Sequence, residues 1–297
     1  MVGKIASKIS GIRKSLQNKS HYKSMVMEIE NDVEQFCLNN EKREEDIIVS
    51  LTSFPARFNK LHLVIESILR QTMKPDQIIL YLDDDVGDIE ALPENIKKLR
   101  QYGVHIEKRE GRIKPHKKYY YAFKEHPDST IITVDDDILY PKNLIEELYK
   151  VHKRFPGCVV ATRSHKILFN DDGSIKKYNS WEWMCILEEI PSMQLMATGC
   201  GGVLYPKHCM NERLLDMQLL LKLTPNADDL WLKVMQVLNR TPVVNCNQDV
   251  RKSRVVVDGT QGESLNSSNV HQNINDVYMK NLIDYFGLKQ TDFVEGD

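Results

Sequence analysis

From Asp46 onward the spacing of apolar residues changes repeatedly along the chain. "IIVSLTSF" starts as an apolar run and ends in small polar residues, which predicts a buried strand entering a loop. "KLHLVIESILRQT" repeats its apolar residues at helical spacing, and "QIILYL" reads as a second strand that runs into Asp83–Asp85. A helical stretch near 93–102 leads to a short strand in "VHIEKR", a helix in "KKYYYAFKEH" and a fourth buried strand in "TIITV". Beyond Pro141 come a helix ("KNLIEELYKVHKRF") and a strand ("CVVATRS"). Residues 165–205 have irregular periodicity. "NADDLWLKVMQVLNR" is again helical, and a polar tail from about 247 gives way to a last helix near 275–287. Strands alternating with helices in units of this size predict an α/β fold, with a mostly parallel sheet and helices on both faces.

In such sheets ligands bind beyond the carboxyl ends of the strands. Three polar clusters fall there: Thr52–Arg57, Asp83–Asp85 and Asp135–Asp137. Adjacent carboxylates raise one another's pKa values, so a triplet near packed structure calls for positive charge. Strand alternation would point Asp135 and Asp137 to one side and Asp136 to the other. The outer pair can share a hard divalent cation. Magnesium uses only one or two protein carboxylates and leaves its other positions to water and phosphate oxygens, and such an ion stabilises a departing diphosphate. The bland alternative is a solvated acidic loop. It suits Asp83–Asp85 better than Asp135–Asp137, which lie between the apolar stretches "IITV" and "ILYP".

Two other chemistries end a strand in a similar way. An aspartyl-phosphate phosphatase needs the motif on its first strand with Thr or Val two places after the second Asp, where this chain has Leu139. A nucleotidyltransferase that makes sugar nucleotides needs a glycine-rich basic loop after strand one, and "SLTSFPARF" has no glycine.

Composition narrows the class. The 297 residues are 41% hydrophobic and 28% charged, with a net charge of -2 that disfavours a general nucleic-acid binder. No apolar run nears the roughly 20 residues of a membrane span, and no signal-peptide core stands at the N-terminus. Six scattered cysteines without a C-x-x-C pair predict reduced, mostly buried thiols. The expected location is cytoplasmic. Residues 1–45 are read as a basic extension and 46–297 as the main domain. Positions 1–27 hold lysines and arginines but no acid, and Ile5, Ile9, Ile12 and Leu16 recur at helical spacing. That pattern fits a helix lying peripherally on anionic lipid at the inner membrane face, and equally a helix packed on its own domain.

With the D-x-D strand end, the polar turn after strand one and the late "ADD", the chain resembles the GT-A glycosyltransferases. Within that group it looks like the bacterial family-2-type enzymes that build capsular and lipopolysaccharide chains. The matching stretches include "VSLTSFPARF", "STIITVDDDILYP", "TGCGGVLYP" and "PNADDLWLKV", spread over about 47–245. The resemblance implies transfer of a sugar from a nucleotide-diphosphate donor, UDP-linked, to a carbohydrate or lipid-linked glycan acceptor, with Mn2+ or Mg2+. It implies that Thr52 and Arg57 line the base and ribose, that Asp83 contacts uracil or ribose, and that Lys118 reaches the phosphates. Asp135 and Asp136 would meet the nucleotide sugar, with Gly201 and Gly202 close to it; Asp137 would ligate the metal, with Asp135 and the late His271 as further candidates. Asp228 and Asp229 fall where inverting members carry the catalytic base, and Asp229 matches the second residue of that pair. A carboxylate there could take the acceptor's proton, and acids at a helix N-terminus are also favoured by the helix dipole alone. Trp181 and Trp183 can stack on a sugar or pack in a core. A retaining transferase and a non-catalytic sugar-nucleotide-binding module on the same fold are the alternatives.

Overall fold

The computed structural model describes residues 18–185, 187, 189–260 and 273–294. Residues 18–31 form a first helix, α1. The chain then alternates β1 (Ile47–Thr52), α2 (Phe58–Leu69), β2 (Gln77–Asp83), α3 (Glu94–Lys97), β3 (His105–Arg109), α4 (Lys117–Glu125) and β4 (Thr130–Thr133). A short β5 (Ile138–Leu139) precedes α5 (Leu144–Arg154) and β6 (Val159–Ala161). The region of irregular periodicity holds β7 (Ser164–Lys166), β8 (Leu195–Ala197) and β9 (Val203–Tyr205). Next come α6 (Met217–Leu223), α7 (Asp228–Leu238), β10 (Val243–Asn245), α8 (Gln248–Ser253), β11 (Val255–Val256) and α9 (Ile274–Phe286).

Seven strands pair in the order β10-β6-β9-β4-β1-β2-β3, and β9 alone runs antiparallel to its neighbours. The expected α/β fold with a mostly parallel sheet is therefore present. Its central strands are apolar on both sides because both sides are covered. In β1, Ile47, Val49 and Leu51 enter one core with α2, α3 and α5, while Ile48 enters a second core with α4, α7 and α9. In β2, Ile78, Leu80 and Leu82 join the first core, and Ile79 and Tyr81 join the second. The period of two along each strand thus divides the apolar residues between two helical layers.

The described part of the basic N-terminal stretch is tied to this body. Met25 and Ile29 of α1, with Phe36, belong to the first core. The Arg70 side chain, buried at the end of α2, is held by Asp32 at 2.8 Å. Ile5, Ile9, Ile12 and Leu16 lie outside the described residues. No helix among the described residues is long and apolar enough to cross a membrane.

One local expectation is corrected. Asp135–Asp137 do not continue β4 as alternating strand residues; the strand ends at Thr133 and the chain turns at Asp136 and Asp137. The cause is a change of partner. β5 leaves the large sheet to pair antiparallel with β11, and the Asp135 N–H donates to the Tyr140 hydroxyl at 2.9 Å.

Candidate active site

The carboxyl ends of β1, β2, β4 and β6 and the start of the antiparallel β9 open on one cavity of about 710 Å³. Thr52 stands at the end of β1, its hydroxyl donating to the Tyr81 carbonyl at 2.8 Å. Asp83 ends β2 and meets the ammonium of buried Lys117, whose burial lowers its pKa to about 8. The other acids of that triplet stay on the surface, where Asp85 pairs with Arg112 at 3.0 Å.

The acid turn after β4 is compensated from two sides. Arg57, in the short turn after β1, reaches across to bind both Asp136 and Asp137, the latter at 3.1 Å. Ser53 also donates to Asp136 at 2.5 Å. Burial pushes the Asp136 carboxyl up against the opposing pull of Arg57 and Ser53. Arg57 therefore faces the acid turn, and Asp136 serves as the anchor that holds it there. On the other side Lys118, at the start of α4, contacts Asp135 at 2.9 Å and Asp228 at 2.8 Å. One buried ammonium thus links the acid turn to the start of α7.

Asp229 stands next to this pair, at the first turn of α7. Its Oδ1 accepts the Gly199 N–H at 3.0 Å. Burial, and then the neighbouring Asp228 charge, push its carboxyl up to about 7, against the opposing pull of Lys118. The side chain packs closely yet keeps contact with the cavity. Gly199 sits against Lys118 so closely that a Cβ there would collide with the lysine Nζ.

Asp135 and Asp137 both line the cavity, and each already has one cationic protein partner. No cluster of three or more His, Cys, Asp or Glu able to hold a metal is present among the described residues. A cation held here would take one or two protein carboxylates and would have to complete its shell from phosphate and water. The pair does not fit a fully protein-built cage.

Nine of the residues expected at the site share this cavity: Thr52, Arg57, Asp83, Lys118, the acid turn Asp135–Asp137, and the pair Asp228–Asp229. Gly201 and Gly202 do not reach its wall. Gly201 packs against Thr162 and the Arg163 backbone, and Gly202, at φ +89°, packs against Leu144. The glycine at the wall is Gly199. His271 lies outside the described residues. The two tryptophans separate: Trp181 is buried, while Trp183 faces the cavity at 36% exposure, stacked on buried His165 at 4.7 Å. Sequence reasoning missed Arg163 and Arg254, which also line the cavity. Arg163 follows β6, so the strand-end rule could have found it. Arg254 arrives through the β5–β11 pairing, which leaves no local signal.

Residues 54–197 match glycosyl transferase family 2. The matched segment includes Arg57, Lys118 and the acid turn but ends before Asp228 and Asp229. No curated protein matches the chain. Among solved structures, the chain is similar to S. aureus TarS 1–349 in complex with UDP, at 13% identity and a TM-score of 0.44, over 67% of this chain and 57% of that one. A second TarS 1–349 structure gives 12% identity and 0.47, over 78% and 64%. The chain thus spans less than two thirds of either TarS chain. A CMP:2-keto-3-deoxy-manno-octonic acid synthetase complexed with CTP gives 11% and 0.41, over 68% and 89%.

Proposed function

We propose that the chain, whose residues 54–197 match glycosyl transferase family 2, is a family-2-like glycosyltransferase of GT-A fold that moves a sugar from a UDP-linked donor to a carbohydrate hydroxyl with inversion. The observation that carries this reading is Asp229: a carboxylate poised near pH 7, fixed by a backbone N–H, in the same cavity as the acid turn. A general base works best with its pKa near the operating pH.

In this mechanism the nucleotide lies over the ends of β1 and β2, between Thr52 and Asp83. The acceptor hydroxyl sits against Asp229, which takes its proton as the oxygen attacks the anomeric carbon. The bond from that carbon to the diphosphate breaks, and its electron pair leaves on the phosphate oxygen. Asp135 and Asp137 would hold Mn2+ or Mg2+, which neutralises the diphosphate charge when bound. Lys118 keeps Asp228 paired, so that of the two adjacent acids Asp229 is left to face the acceptor. Surface polysaccharide or a lipid-linked glycan is the proposed acceptor class, by the resemblance in the sequence.

The test is calorimetric binding of UDP with and without Mn2+, to the wild type and to Asp137→Asn, alongside transfer assays over a panel of UDP-sugars. Manganese should strengthen UDP binding in the wild type and not in the variant, and transfer by the variant should fall by orders of magnitude. A variant that transfers at the wild-type rate removes Asp137 from the proposed metal site. Donor binding without transfer across a broad acceptor panel would favour the non-catalytic module.

A further inference from the structure

Arg57 and Lys118 are each held by two carboxylates. Arg163 and Arg254, in the same cavity wall, have none: among the described residues no carboxylate oxygen lies within 4.0 Å of either guanidinium. Both instead converge on one sulfur. Arg163 Nη1 lies 2.8 Å from Cys200 Sγ and 3.3 Å from Thr198 Oγ1, while its Nε is buried without a partner. Arg254 Nη1 donates to the Cys200 carbonyl at 2.6 Å and stands 3.3 Å from the same Sγ. A thiol is a weak acceptor. Two cations sharing one in a half-buried wall repel each other, and an oxyanion between them would relieve that repulsion with charge-assisted, fork-shaped hydrogen bonds.

The sheet order says which part of the substrate this anion belongs to. The cavity crosses strand ends in the sequence β2, β1, β4, β9, β6. Thr52 and Asp83 stand over β1 and β2, and the acid turn follows β4. Cys200 precedes β9 and Arg163 follows β6, so the arginine pair lies on the far side of the acid turn from the nucleotide end. Trp183 and His165, the aromatic wall, stand on that same side. This step rests on the transferase reading, because that reading places the nucleotide over β1 and β2 and the diphosphate at the acid turn. We infer that Arg163 and Arg254 form an anion subsite on the sugar side of the cavity, and that one of the two sugars joined here carries a carboxylate or phosphate. The charged group belongs either to the transferred sugar or to the acceptor.

Two probe pairs separate these sources on the full chain. Calorimetry compares UDP-glucuronate with UDP-glucose, and, with UDP saturating, glucose 6-phosphate with glucose. The charged member of one pair should bind about tenfold more tightly or better, the scale of a charge-assisted hydrogen bond. A preference in the first pair assigns the charge to the transferred sugar, and in the second pair to the acceptor. Arg163→Gln and Arg254→Gln should abolish the preference while changing UDP affinity by less than about twofold. A second readout needs no variant: the charged probe should slow iodoacetamide alkylation of Cys200 in the wild type, with exposed Cys37 as the internal reference. The inference is overturned if neither charged probe is preferred or protects Cys200, or if the preference survives both substitutions. It also fails if the substitutions weaken UDP as much as the charged sugar, since the pair would then serve the diphosphate. If the wild type binds no UDP, the transferase reading fails instead, and protection of Cys200 by glucose 6-phosphate still decides the subsite.

Discussion

Replacing Asp229 with Asn should move activity and stability in opposite directions. The Asp229 carboxyl is raised from 3.8 to about 7 in the folded chain. As a base it must be ionised, so about a tenth of the molecules are competent at pH 6 and about nine tenths at pH 8. Wild-type kcat/KM should therefore rise about tenfold between those values. Asp229→Asn should lower transfer by about 10²- to 10⁴-fold and erase this limb. UDP affinity should hardly change, since the base meets the acceptor. The stability effect has the other sign. A carboxyl with a raised folded pKa binds more protons folded than unfolded between about pH 4 and 7, so its contribution to stability falls as pH rises through that window. Three pKa units at about 1.4 kcal/mol each cap the cost near 4 kcal/mol. Solvent reaching the side chain through the cavity reduces that to about 1–2 kcal/mol. Urea unfolding should accordingly find Asp229→Asn more stable than the wild type at pH 8 and equal to it at pH 4. Full transfer activity in the variant, or a pH limb that survives the substitution, would refute the assignment of the base.

Glu66 of α2 offers an independent test of the same linkage away from the cavity. Burial and the Glu30 charge raise it to about 7, so Glu66→Gln should raise the melting temperature at pH 8 and much less at pH 5; an equal gain at both would show that ionisation is not the cause. Removing residues 1–17 should leave folding intact, because Met25 and Ile29 remain to anchor α1. The same truncation should weaken cosedimentation with anionic vesicles, most clearly at low salt, and unchanged binding would favour a segment that packs on its own domain.

The fold was legible where burial imposes a period. β1, β2 and β4 read as strands because both faces are covered, and α2, α4, α5 and α7 read as helices from their apolar spacing. The short α6 and α8 escaped, being only 7 and 6 residues long and so too brief to establish a period. At the site, the clustering of acids beyond strand ends was readable, since that rule depends on topology alone. The counter-charges were not. Arg57 was expected at the base and ribose, yet its guanidinium binds Asp136 and Asp137, 79 residues or more away in the chain. Nothing near Cys200 in the sequence announces that Arg163 and Arg254 will flank it, because strand pairings across the fold bring them together. Of the glycines in "TGCGG", Gly201 and Gly202 were expected close to the nucleotide sugar, yet they pack against Thr162, Arg163 and Leu144 and Gly199 lines the cavity instead, because packing decides which backbone approaches which neighbour.

Gly199 also sets where this site can vary. Any side chain there would displace the Lys118 ammonium, and the same residue's N–H holds Asp229. A side chain at this position would therefore disturb the tie between Asp135 and Asp228, while the backbone N–H that holds Asp229 would remain. Change elsewhere on the rim carries no such cost. The segment between β7 and β8 carries Trp183 into the cavity. Trp183 donates to the Tyr178 carbonyl of its own segment and stacks on His165, without touching the acids, so this wall can be rebuilt while the floor stays fixed.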